Sequence, residues 1–81
     1  MPRYFFDLRD EDRLAIDQKG IELSDLQAVQ QEAVKVVADM ARDAVVRNPD
    51  LRWHRVSVEI RDAAGLVLHV RLMLDLDYRA G

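Results

Sequence analysis

The chain has 81 residues, 49% hydrophobic and 33% charged, with a formal net charge of −3 and no cysteine. That length confines it to one small domain, residues 1–81, with a single modest core that makes self-association favourable, and the missing thiols exclude a disulfide framework, a thiolate zinc site and a cysteine nucleophile. The mild negative charge argues against indiscriminate nucleic-acid binding, and no apolar run approaches the roughly 20 residues of a membrane helix or a secretory signal core, so a cytoplasmic location is expected and no membrane partner.

Residues Tyr4 to Leu8 alternate, placing Tyr4, Phe6 and Leu8 on the inward face of a strand with Phe5 and Asp7 on the other. Asp10-Glu11-Asp12 reads as a solvated turn rather than a cation site. The chain then returns through Leu14-Ala15-Ile16, whose even members are expected to pair with Leu8 and Phe6 in a hairpin. Asp17-Gln18-Lys19-Gly20 has Asp first and Gly last, the signature of a type I turn.

Ser24-Asp25-Leu26-Gln27 matches a capping box, with Ser24 as the cap, and predicts a helix from about Asp25. Val29, Ala33, Val36, Val37, Met40, Ala41 and Ala44 then recur at spacings of three and four, opposite a polar face. Asn48-Pro49 ends the run, because the residue before proline is driven from helical space. About 22 residues at 1.5 Å each give a helix of roughly 33 Å.

The second half predicts two long strands. Val56, Val58 and Ile60 alternate with polar residues, as do Leu66, Leu68, Val70, Leu72, Leu74 and Leu76 with Val67, His69, Arg71, Met73, Asp75 and Asp77. Asp62-Ala63-Ala64-Gly65 reads as a three-residue hairpin loop with a bulge at Gly65, setting Asp62 opposite Leu66, Ile60 opposite Leu68, Val58 opposite Val70 and Val56 opposite Leu72. The expected fold is therefore α+β: a four-stranded antiparallel sheet, ordered strand, strand, helix, strand, strand, with one long amphipathic helix on one face.

That register also tests for convergent chemistry. His54 and His69 fall on opposite faces and cannot share a metal. His69 lies opposite Glu59, a dyad in an enzyme reading and a cross-strand ion pair otherwise, while His54 is expected to be partly buried, opposite Leu74 and bonded to backbone. Ser24 is a cap, Ser57 lies mid-strand, and Asp75 and Asp77 read as solvated strand-end charges. No phosphate loop, metal-spaced cluster or activated nucleophile is present, so the expectation is a protein that is not an enzyme, without cofactor, metal or small-molecule substrate.

The sheet face away from the helix is more informative. Odd positions place Arg3, Phe5, Asp7 and Arg9 there, with Trp53, Arg55, Ser57, Glu59 and Arg61, and Val67, His69, Arg71, Met73 and Asp75. Phe5, Trp53, Val67 and Met73 form an apolar set that a monomer leaves wet, and with Arg55, Arg61 and Arg71 they compose a candidate interaction surface. The favoured reading is a homodimer or another protein partner through this face or a sheet edge. The alternative is single-stranded nucleic acid stacked on Phe5 and Trp53 and held by Arg55, Arg61 and Arg71.

The opening Pro2-Arg3-Tyr4-Phe5-Phe6-Asp7, the acidic turn, Gly20 to Leu23 before Asp25-Leu26, the Ala-rich helix, and Val58-Glu59-Ile60-Arg61-Asp62 with Gly65 resemble a family of short proteins, found mainly in rhizobia and other alphaproteobacteria, that consists of a domain of unknown function. That resemblance spans nearly the whole chain and implies no activity or site residues. The order of a hairpin followed by a helix is also similar to small antitoxin domains of the HicB type, which bind a partner toxin and self-associate; that likeness is architectural.

Overall fold

The computed structural model describes residues 1–11 and 13–79; Asp12 of the acidic turn lies outside them. The described residues form β1 (Arg3–Asp10), β2 (Arg13–Ala15), β3 (Ile21–Glu22), α1 (Leu26–Arg47), β4 (Trp53–Asp62) and β5 (Gly65–Asp75). The fold is α+β, with an antiparallel sheet in the order β2-β1-β4-β5 and α1 across one face; β3 also pairs with β1, giving five strands instead of the expected four. β2 takes the Leu8–Asp10 end of β1 and β3 takes its Arg3–Tyr4 end, so two short strands share one edge.

The core follows directly from the alternation. Val56, Val58 and Ile60 are at most 1% exposed in the central β4, and Tyr4 and Phe6 of β1 are buried beside them. Val29, Ala33, Val37, Ala41 and Ala44 of α1 close the other side. Three alanines in that stripe bring the helix backbone close to the sheet, which is why so small a chain still encloses a core. This helix is amphipathic, and no helix among the described residues is long and apolar enough to cross a membrane.

The helix starts one residue later than its capping signature implies. Asp25, not Ser24, is the cap: its extended backbone lets its carboxylate accept from the Ala28 N–H at 2.8 Å. Gln27 thereby shifts to the second helical position, where it cannot complete a reciprocal box. At the other end the Asn48 N–H donates to Ala44 O at 3.0 Å and Pro49 prevents continuation.

Two hairpins depart from expectation in register. In the first, Leu8 pairs with Ala15 and Arg9 with Leu14, one residue off the predicted Leu8–Leu14 match; Leu14 and Ile16 remain exposed instead of joining the core. In the second, Ile60–Leu68, Val58–Val70 and Val56–Leu72 pair as predicted, but Asp62 sits opposite Gly65 and Arg61 opposite Leu66. The loop is therefore only Ala63-Ala64, and the bulge lies at Val67, where the register shifts between Ile60 and Arg61. Asp62 closes the turn by accepting from the Ala64 N–H at 2.8 Å, with Gly65 at φ 127°.

Candidate interaction surface

The face opposite α1 divides into a covered half and a bare half. On the covered half, residues 16–20 leave the β1 edge and fold over the outer face. Asp17 anchors them: its carboxylate accepts from the N–H groups of Phe6, Lys19 and Gly20, each at 3.0 Å. The Phe6 bond fills a gap in the β1 ladder between β2 and β3, so one side chain stands in for a missing strand residue. Gly20 is held at φ +73°, and a Cβ there would stand 2.8 Å from both the Phe5 ring and Arg3 Cγ. Arg3 fastens the far side, donating to Lys19 O at 2.8 Å and Glu22 Oε1 at 3.0 Å.

Beneath this strap lies Asp7, buried although charged. Arg61 Nε donates to Asp7 Oδ2 at 2.8 Å and Arg61 Nη2 to Asp17 O at 2.9 Å, while the Asp17 N–H donates to Asp7 Oδ1 at 2.9 Å. Burial pushes the Asp7 carboxyl up, but the Arg61 hydrogen bond, the Asp17 N–H and the Arg61 charge outweigh it and hold the group below its ordinary range. The Gly20 and Phe6 N–H groups likewise hold Asp17 low, and the Asp7 hydrogen bond holds Arg61 in its charged form. Arg61 also lies over the Phe5 ring, 4.7 Å from its centroid. Phe5 and Arg61 are thus committed internally.

The bare half spans β4 and β5. Trp53 and Met73 are 43% and 57% exposed, and Arg55 lies 5.2 Å from the Trp53 ring centroid. Arg55 pairs with Met73, Ser57 with the exposed Arg71, and Glu59 with His69. The last pair is separated by 4.0 Å, beyond hydrogen-bond reach. Val67 does not belong to this face: the bulge turns it toward α1, where it borders a cavity with Leu26, Val29 and Leu68. Leu66, opposite Arg61 and 66% exposed, takes the outer position. Trp53, Arg55, Arg71 and Met73 are therefore brought together, whereas Phe5, Arg61 and Val67 are not.

A second cluster sits at the Trp53 end of β4, on the helix side of the sheet. His54, opposite Leu74 as expected, contacts two carboxylates rather than backbone: Nε2 to Asp10 Oδ1 at 2.6 Å and Nδ1 to Glu11 Oε1 at 3.2 Å. Arg47 reaches the other Asp10 oxygen at 3.3 Å and Asp43 at 2.9 Å, tying the end of α1 to β1. Of the two histidine contacts, the one to Asp10 is a hydrogen bond, with the ring N–H donating to the carboxylate. Among the described residues no group of three or more His, Asp or Glu side chains is arranged to hold a metal ion.

Sequence reasoning missed this cluster, the Asp17 strap and the exposed Leu66. Asp17 was visible as a turn residue, but its reach to Phe6 depends on β1 lying alongside. His54 and Asp10 are 44 residues apart, and no local pattern joins them.

The chain belongs to a family described as a domain of unknown function (DUF6894), whose profile matches residues 3–73. The match runs from the start of β1 to Met73 and so includes both halves of the outer face. No curated protein and no solved structure matches the chain.

Proposed function

We propose that this protein is a non-enzymatic interaction module that self-associates through the bare β4–β5 half of its sheet. The observation that carries this reading is β5 itself: an 11-residue edge strand, paired among the described residues with β4 alone, next to the exposed Trp53, Leu66 and Met73. Edge strands of soluble proteins are commonly kept short, bulged, broken by proline or charged residues, or covered. Beyond Val67, β5 has no bulge or proline over His69 to Asp75 and, among the described residues, no cover, and its charges Arg71 and Asp75 are of opposite sign. Apolar and Arg side chains around an unpaired edge have the composition of a protein interface.

The nucleic-acid reading has less to work with. Of its residues, Phe5 and Arg61 are engaged with each other and with Asp7, which leaves Trp53 as the exposed stacking surface among those named. Sedimentation of the full chain over a concentration series tests the proposal. A dimer is expected at micromolar concentration, weakened by Trp53→Gln and Met73→Gln, and a strict monomer at every concentration would refute it.

A further inference from the structure

We propose that the β5 edge is occupied by β5 of a second copy of this chain, running antiparallel about a two-fold axis at Met73, so that two sheets join into one. This rests on the self-association reading above and specifies its geometry. The Leu76 N–H donates to Arg52 O at 2.7 Å, continuing the ladder in which Leu72 faces Val56. Residues of an antiparallel strand alternate in the side to which they turn both backbone groups. The even residues Leu68 to Leu74 therefore address β4, and His69, Arg71, Met73 and Asp75 turn their N–H and C=O groups to the open edge.

A partner strand satisfies those groups only if odd residues meet odd residues, which leaves few two-fold registers. Centring on Arg71 sets two arginines against each other. Centring on Leu72 sets Arg71 against Met73 and leaves the arginine unpaired. Centring on Met73 sets Arg71 against Asp75 twice, by symmetry, and His69 against Asp77 twice, with the two Met73 side chains in contact. On the helix side the same register matches Leu72 with Leu74 and Val70 with Leu76. Neither Arg71 nor Asp75 has an ion-pair partner within one chain among the described residues.

Read at its outward positions, Arg71-Met73-Asp75 is its own charge complement when reversed, which identifies an identical strand as the occupant over an unrelated one. The helix side agrees. Leu68, Val70, Leu72 and Leu74 are only partly buried beneath α1. Met40 and Asp43 border β1 and β2, so the opposite helix flank, carrying Val34 and Val45 at 53% and 37% exposure, lies toward β5. Joining two β5 edges brings those two apolar flanks toward each other.

Sedimentation equilibrium of the full chain, with circular dichroism to verify folding, tests this. Arg71→Asp, and separately Asp75→Arg, should each weaken the dimer about tenfold, because two symmetric attractive pairs become repulsive. The double variant R71D/D75R should restore it, since the exchange recreates both pairs. A wild-type dimer indifferent to either single variant would overturn the Met73 register while leaving self-association standing. A wild-type monomer at hundreds of micromolar would overturn both, and single variants that the exchange fails to rescue would overturn the Arg71–Asp75 pairing.

Discussion

Along the β1 edge, Asp17 accepts three backbone N–H groups, Gly20 seats against Phe5, and Arg3 ties the strap down at Glu22. Along the β5 edge, His69, Arg71, Met73 and Asp75 face outward, with Arg71 and Asp75 of opposite charge on either side of Met73, and among the described residues no strap covers them. Both edges belong to one sheet and share the Val56, Val58 and Ile60 core. The contrast shows that the chain has the means to close an edge within its own length and, among the described residues, applies it to one side. The other side retains the backbone groups and the apolar border that a joining strand requires.

Changes that loosen the closed edge should be felt as folding stability. The largest effect is expected for Asp17→Ala, which removes the acceptor of the Phe6, Lys19 and Gly20 N–H groups and should cost about 2 kcal/mol by urea unfolding. An unchanged midpoint would mean that the strap rests on Arg3 and Arg61 alone. Gly20→Ala should cost about 1 to 2 kcal/mol, from the positive φ and the crowding against Phe5 together. Thermal melts of the two variants should rank them in that order.

Acid separates the edges further. Asp7 and Asp17 titrate below their ordinary value of 3.8 in the folded chain, so the unfolded chain binds more protons as pH falls through that range. Their stabilisation is complete above that value and is lost as pH drops through the lower folded values. The urea midpoint of the wild type should therefore be flat with respect to these groups above about pH 5 and fall below pH 4, and Asp17→Ala should flatten that fall. An Asp17→Ala profile parallel to the wild type would break the link between the strap and acid sensitivity.

The open edge should behave oppositely. Met73→Gln, at an exposed position, should move the stability of the isolated protomer by no more than about 0.5 kcal/mol, yet weaken association. This is the smallest stability effect expected, and a loss comparable to that of Asp17→Ala would show that β5 is held by intrachain contacts.

Legibility in the sequence followed the range of the interactions. The α1 stripe and its stop at Asn48-Pro49, and the match of Ile60 to Leu68, were readable because period and turn chemistry act over a few residues. The position of the bulge was not: Gly65 and Val67 both restore the inward register, and the Ala63-Ala64 loop closed by Asp62 decides between them. Ile21-Glu22-Leu23 reads as a short extended stretch, but its pairing with β1 as β3 was not legible, because two exposed residues, Ile21 and Glu22, carry no periodicity; Asp17 and the Arg3–Glu22 pair bring them to β1. For the same reason Trp53, Arg55, Arg71 and Met73 could be assigned to one face from alternation, while the covering of Phe5 and Arg61 needed a segment folded over the sheet.

Amide hydrogen exchange, resolved by residue across a dilution series, tests the central claim most directly. If β5 of a second copy fills the edge, the N–H groups of Arg71, Met73 and Asp75 are protected at high concentration and lose that protection on dilution, while Leu72 and Leu74, bonded to β4, stay protected throughout. Fast exchange at Arg71, Met73 and Asp75 at every concentration would contradict the account.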